Sequence, residues 1–160
     1  LNRLVENAAR HDGITIDVKA LSTTLAGFAQ VSRGQGKTNF RIALHKELDA
    51  PGRFGVLCHE LAHIFLGHLG GHPARWWPSR QGLDHATVEL EAEAVAYVVT
   101  RQLGLTGGSP AYVSRFLRGP DLPQTVSIHL IAKVASRIKE MATGTLSERT
   151  MPSKAKGPRR

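Results

Sequence analysis

The run His59-Glu60-Leu61-Ala62-His63 holds the residues of this chain whose types and spacing most directly suggest chemistry. On a helix of about 3.6 residues per turn, positions four apart project from one face. His59 and His63 can therefore hold one metal ion between their imidazoles. Glu60 lies one residue on, within reach of a water on that metal. Apolar neighbours before the run (Val56, Leu57) and after it (Ile64, Phe65, Leu66) predict a helix laid against a core. Two imidazoles, a third protein ligand and one open position make up a catalytic zinc site. The metal would draw the pKa of its water towards about 7, with Glu60 as the general base.

A third ligand is needed. The extended pattern with a further histidine six residues on fails, because positions 66 and 69 are both leucine and His72 comes too late. The better source is Glu89-Leu90-Glu91-Ala92-Glu93-Ala94-Val95-Ala96. Glu89 and Glu93 share a helix face with Ala92 and Ala96, whose small side chains allow close approach to the histidine helix. Two carboxylates on an apolar face call for a counter-charge, which a dication supplies. Glu89 is assigned as the metal ligand. Glu93, one turn later, is expected to bond the far nitrogen of a ligand histidine and fix its tautomer. The swapped assignment, with Glu93 as ligand, stays open. Glu91 points elsewhere and reads as part of a solvated face, His68 as a cap or surface residue, and Cys58 as core.

The elements that must position these groups follow from periodicity. Residues 2–10 predict a helix stopped by Gly13, and Ile14–Val18 alternates as a strand. Gly27–Val31 and Phe40–Leu44 predict a hairpin around a loop at 32–39, with Phe40, Ile42 and Leu44 on one face. Asp49 and Pro51 open the metal helix, and Gly70-Gly71 is expected to end it. Residues 72–82 read as a loop whose Trp76 and Trp77 either wall a pocket or seal the core. A second helix is expected over 84–103, with Val88, Ala92, Val95, Val99 and Leu103 as its stripe, then a short one over 110–118. Pro123 is expected to open a last helix with Ile131, Val134, Ala135, Ile138 and Ala142 buried. The fold class is α+β, with a small, partly antiparallel sheet and a mainly helical C-terminal half.

Composition sets the frame. At 160 residues, 41% hydrophobic and 21% charged, the chain predicts one globular domain, placed at residues 1–144. The formal charge is +8, part of it in the tail 145–160, where Arg149, Lys154, Lys156, Arg159 and Arg160 stand against Glu148. That tail reads as disordered, either as a solvated terminus or as a weak contact for nucleic acid. One cysteine, no apolar run of membrane length and no leader suit a cytoplasmic protein with no membrane contact. The chain starts at Leu1, not Met, which reads as an excised or trimmed fragment that leaves room for an upstream domain or signal.

The strand pair ending in Phe40-Arg41-Ile42-Ala43-Leu44, the run His59–His63 followed by Leu66-Gly67-His68, and Glu89-x-x-Ala92-x-x-Val95-Ala96 together resemble the ImmA/IrrE-type metallopeptidases. They are also similar to the related metallopeptidase domain of ArdC-type antirestriction proteins. The resemblance covers residues 1–142, with Val95 where the family pattern has Phe. It implies a zincin-like fold, with the sheet packed on the helix that bears the metal, and it makes Glu89 the third ligand. It further implies a bacterial, phage or mobile-element protein that cleaves a regulator or repressor. The expected activity is zinc-dependent hydrolysis of a peptide bond in a protein or peptide substrate, which would lie along the edge of the 27–44 hairpin. Tyr112, Tyr97 and His85 are unranked candidates for oxyanion or substrate contacts. The rival class is a DNA-binding or antirestriction protein with a structural or vestigial zinc site. In that reading the helices at 110–118 and 123–142 form a helix-turn-helix, with Arg115, Arg118, Lys133 and Arg137 on phosphates.

Overall fold

A computed structural model describes residues 1–34, 37–71, 75–105, 122–144 and 146. Among them the chain is α+β, with four helices and one three-stranded mixed sheet. The expected helix at 110–118, Tyr112, and the tail 145–160 apart from Leu146 lie outside the described residues, as do His72 and the hairpin tip.

Helix α1 (Asn2–Asp12) ends where Gly13 takes φ 63°, a left-handed backbone that glycine adopts without a Cβ penalty. The turn delivers β1 (Ile14–Lys19), which pairs in parallel with β3 (Lys37–His45) in the register Ile14↔Phe40, Ile16↔Ile42 and Val18↔Leu44. Strand β2 (Gly27–Gly34) pairs antiparallel on the other side of β3, from Gly27↔Leu44 to Gly34↔Lys37. The ladder therefore takes in residues 32–34 and 37–39, which the glycines at 34 and 36 had marked as loop. With the order β1-β3-β2, β2 is an edge. Phe40, Ile42 and Leu44 of the central strand are buried.

Helix α2 (Ala50–Phe65) starts as its sequence predicts. The Asp49 carboxylate accepts from Gly52 N at 2.8 Å, and Pro51 sits in the first turn. Leu57, Cys58, Leu61, Ala62, Ile64 and Phe65 are fully buried against the sheet and the other helices. The helix stops at Phe65, earlier than the expected Gly70-Gly71. Gly67 takes φ 81°, and a Cβ there would lie 2.1 Å from the Pro78 carbonyl oxygen. The turn thus packs directly on the backbone of the next loop, and Arg80 N donates to Gly67 O at 2.9 Å. Trp76 and Trp77 in that loop seal the core and line no part of the histidine cleft. Trp77 is buried, edge-on to Phe40 at 5.7 Å, and Trp76 lies 4.9 Å from Phe65.

Helix α3 (His85–Gln102) is capped by Asp84, which accepts from Thr87 N at 3.1 Å and from Thr87 Oγ1 at 2.6 Å. Helix α4 (Ile128–Thr143) begins later than Pro123 predicts. Residues 123–126 form a turn closed by Val126 N donating to Pro123 O, and the cap is Ser127, whose hydroxyl accepts from Leu130 N. Ile131, Val134, Ala135, Ile138 and Met141 are its buried stripe, while Ala142 is only partly covered. Asn7 of α1 donates to Met141 O at 2.8 Å and Gly144 O at 3.1 Å, tying the first helix to the last. No helix among the described residues is long and apolar enough to cross a membrane.

The turn at Gly67 also aims His68, so its geometry bears on the site. Gly67→Ala places a side chain in left-handed backbone and against a carbonyl, at a cost of about 3 kcal/mol or more. A urea titration is expected to show the midpoint falling accordingly, with the slope unchanged.

Candidate metal centre

Helix α2 presents His59, Glu60 and His63 to a cleft, and α3 presents Glu89 and Glu93 to the same cleft from across the helix pair. His59 Nε2 and His63 Nε2 lie 3.0 Å apart. Glu89 closes the triangle, with Oε2 3.4 Å from His59 Nε2 and Oε1 3.6 Å from His63 Nε2. The three residues thus each offer one ligand atom, all within 4.8 Å of one another. A tetrahedral zinc with ligands at about 2.0–2.1 Å requires ligand atoms about 3.3 Å apart. The His–His separation and the two His–Glu89 separations, which run to different carboxylate oxygens, lie near that spacing, so the donor set is compatible with a zinc ion. Glu93 lies on the far side of His59, its Oε2 3.2 Å from His59 Nδ1. With a proton on Nδ1, His59 would donate a hydrogen bond to that carboxylate and leave Nε2 free to ligate.

Charge is concentrated here. Burial pulls the His59 imidazolium down, but hydrogen bonds to Glu89 and Glu93 and the charge of Glu60 outweigh it and carry the pKa up to about 9. His63 moves down to about 3, through burial first and then the neighbouring charge of His59. Without a metal, one imidazole therefore holds the positive charge that a dication would replace. Glu89 is held below the ordinary carboxylate range by its hydrogen bond to His59. Glu60 is 8% exposed, and burial lifts its carboxyl to about 7, against the lowering effects of His59 and of the Ala29 backbone N–H. A carboxylate poised near neutrality is suited to both accepting and returning a proton.

The cleft encloses about 780 Å³. Its walls beyond the charged groups are mainly apolar, with Leu25 and Phe28 from the β2 side, Val56 and Leu69 from α2 and its turn, and Val88 and Tyr97 from α3. Tyr97 is thus at the site. His85 is 84% exposed, its Nδ1 3.8 Å from Glu89 Oε1. Tyr112 lies outside the described residues. Cys58 is fully buried in the core, and burial pushes its thiol well up. Of the proposed phosphate contacts, Lys133 lies over the Trp76 ring at 5.7 Å and Arg137 Nη1 is 3.8 Å from Glu140 Oε2. Arg115 and Arg118 lie outside the described residues.

Two expectations are corrected. Glu91 is not on a solvated face: it is 0% exposed. Its carboxylate accepts from Arg80 Nη1 at 2.6 Å and Nη2 at 2.9 Å, and from Ser127 N at 2.7 Å. His68 is not a surface residue either. Its side chain is 2% exposed, with Nε2 2.9 Å from Glu91 Oε2 and Nδ1 3.1 Å from His63 Nδ1. Helix periodicity places Glu91 away from Glu89 correctly, but that side of α3 faces the 75–82 loop and the approach to α4. Arg80 is the functional neighbour that the sequence does not reveal, because a lone arginine in a Pro- and Gly-containing loop carries no periodic relation to Glu91.

Burial raises the Glu91 carboxyl, but the hydrogen bonds from His68, Arg80 and Ser127 prevail and hold it down at about 2. A depressed carboxyl contributes stability that is complete above its unfolded value and lost as pH falls towards the folded one. The urea midpoint is therefore expected to drop between about pH 4.5 and 2 more steeply in the wild type than in Glu91→Gln. At pH 7 the same substitution leaves the largely covered Arg80 without its counter-charge and is expected to cost about 3 kcal/mol. Compared with family models, curated proteins and solved structures, the chain shows no match.

Proposed function

We propose that the protein is a zinc-dependent metallopeptidase of zincin-like architecture that cuts a peptide bond in a protein substrate. The observation that carries this reading is the convergence of His59, His63 and Glu89 from two helices, with Glu60 beside them at the same cleft. The resemblance of the HExxH and Glu89 motifs to ImmA/IrrE-type peptidases supports a regulator or repressor of a bacterial stress-response or mobile-element system as the substrate.

His59, His63 and Glu89 would hold the metal. When bound, zinc supplies Lewis acidity that polarises a carbonyl and lowers the pKa of water. Glu60 accepts the proton of the attacking water and returns it to the departing amine. The substrate would add as a strand to the β2 edge, so that its scissile carbonyl lies over the histidines. Apolar walls at Leu25, Phe28 and Val56 suit apolar side chains flanking the cut. Tyr97, which lines the cleft, and the exposed His85 are the described candidates to donate to the developing oxyanion.

Zinc content and hydrolysis of a mixed peptide library test the reading together. Glu60→Gln is expected to keep a full equivalent of zinc and lose about 10²–10⁴ in turnover. Glu89→Ala is expected to lose the metal, and Glu93→Ala to keep it with weaker affinity. Undiminished hydrolysis by Glu60→Gln would remove the peptidase assignment. Zinc lost from Glu93→Ala and kept in Glu89→Ala would exchange the two glutamates' roles.

A further inference from the structure

The Glu60 and Glu93 arms leave one question at the cluster: what orients the second imidazole. Among the described residues, His63 Nδ1 meets no carboxylate or carbonyl. It meets His68 Nδ1 at 3.1 Å, and His68 Nε2 in turn meets Glu91 Oε2 at 2.9 Å. The polarity of this chain follows by elimination. Glu91 accepts two bonds from Arg80 and one from Ser127 and is ionised, so it presents only lone pairs to His68. A neutral His68 then carries its proton on Nε2 and donates a hydrogen bond to Glu91. Nδ1 of His68 is left as an acceptor, and the atom facing it, His63 Nδ1, must be the donor. Nε2 of His63 is thereby stripped of its proton and points into the cluster, 3.0 Å from His59 Nε2. The opposite polarity would set a nitrogen lone pair against a carboxylate lone pair at 2.9 Å and turn an N–H towards the ligand position.

We infer that His68, held by Glu91 and Arg80, is a positioning residue that fixes the ring and tautomer of His63 for metal binding. Resting on the metal-site reading above, it deepens that reading rather than adding a fourth ligand. The relay is built like a core element. The side chains of His68 and Glu91 are 2% and 0% exposed, and Arg80 is locked by its own donation to Thr125 O at 3.0 Å. The arrangement also makes the two ligand histidines unequal: His59 leans directly on a carboxylate, whereas His63 leans on one through an intervening imidazole.

The test is zinc affinity, measured by competition with a chromophoric chelator and alongside thermal unfolding of the metal-free protein. His68→Leu removes the acceptor and is expected to weaken zinc binding by about 10–100-fold. His68→Gln keeps the polarity, because its amide oxygen accepts from His63 and its NH₂ donates to Glu91. It is expected to bind within a few-fold of wild type. A merely structural role would lower the melting temperature of both variants without separating their affinities. Should His68→Leu fail to fold, nitrogen NMR of the zinc-loaded wild type still decides, the expected result being His68 protonated on Nε2 and His63 on Nδ1. Wild-type affinity in a folded His68→Leu, or a proton on Nδ1 of His68, would overturn this inference and leave the metal site intact. Absence of zinc binding by the wild type itself would overturn both.

Discussion

The close packing of α2 against α3 is the constraint on which the rest depends. Ligand atoms from two helices can meet within a few ångströms only if the backbones come near, and Ala62, Ala92 and Ala96 at or near that contact are all small and buried. Their spacing brings Glu60, Glu89 and Glu93 to one cleft together with two imidazoles. Three carboxylates in a partly dry site repel one another unless cations are interleaved. The protein meets this with a proton on His59 when no metal is present, and a divalent ion satisfies the same need more fully. The charge pattern and the helix packing are therefore one problem solved together.

A second charge pair, with its carboxylate fully buried and its guanidinium largely covered, governs the surroundings. Glu91 and Arg80 join the loop after α2, the middle of α3 and the segment that leads into α4. Such a pair contributes little stability relative to apolar residues of the same volume. Its value lies in register: the carboxylate has one orientation in which all its acceptor sites are filled, so the three segments can dock in one way. Thr87 extends the same logic, taking up Asp84 at the α3 cap and Thr125 across the gap at 3.0 Å.

What the sequence discloses and what it conceals divide along a physical line. Groups related by local periodicity are legible: His59 with His63, Glu89 with Glu93, the alternation of Phe40, Ile42 and Leu44, and the Asp49 cap before Pro51. Their geometry is set by helix or strand parameters alone. Contacts made between a loop and a distant helix are not legible, because nothing in the chain encodes the separation. Arg80 with Glu91 is of that kind, and a buried glutamate looks the same in sequence as a solvated one. Element ends fall between these cases. Gly67 ends α2 because its backbone meets the Pro78 carbonyl, a contact invisible beside the more conspicuous Gly70-Gly71. Ser127 rather than Pro123 starts α4, because its N–H is claimed by Glu91 and the intervening residues form a turn.

Cys58 adjoins His59 in the chain yet sits on the far side of the helix, fully buried with its thiol pushed up. A thiolate facing the cleft would instead be a soft ligand, open to reaction with peroxide and disulfides. Held as a neutral thiol among Leu57, Leu61 and the sheet, it can do neither. The cleft is thereby left with nitrogen and oxygen donors only, none of which changes oxidation state with its surroundings.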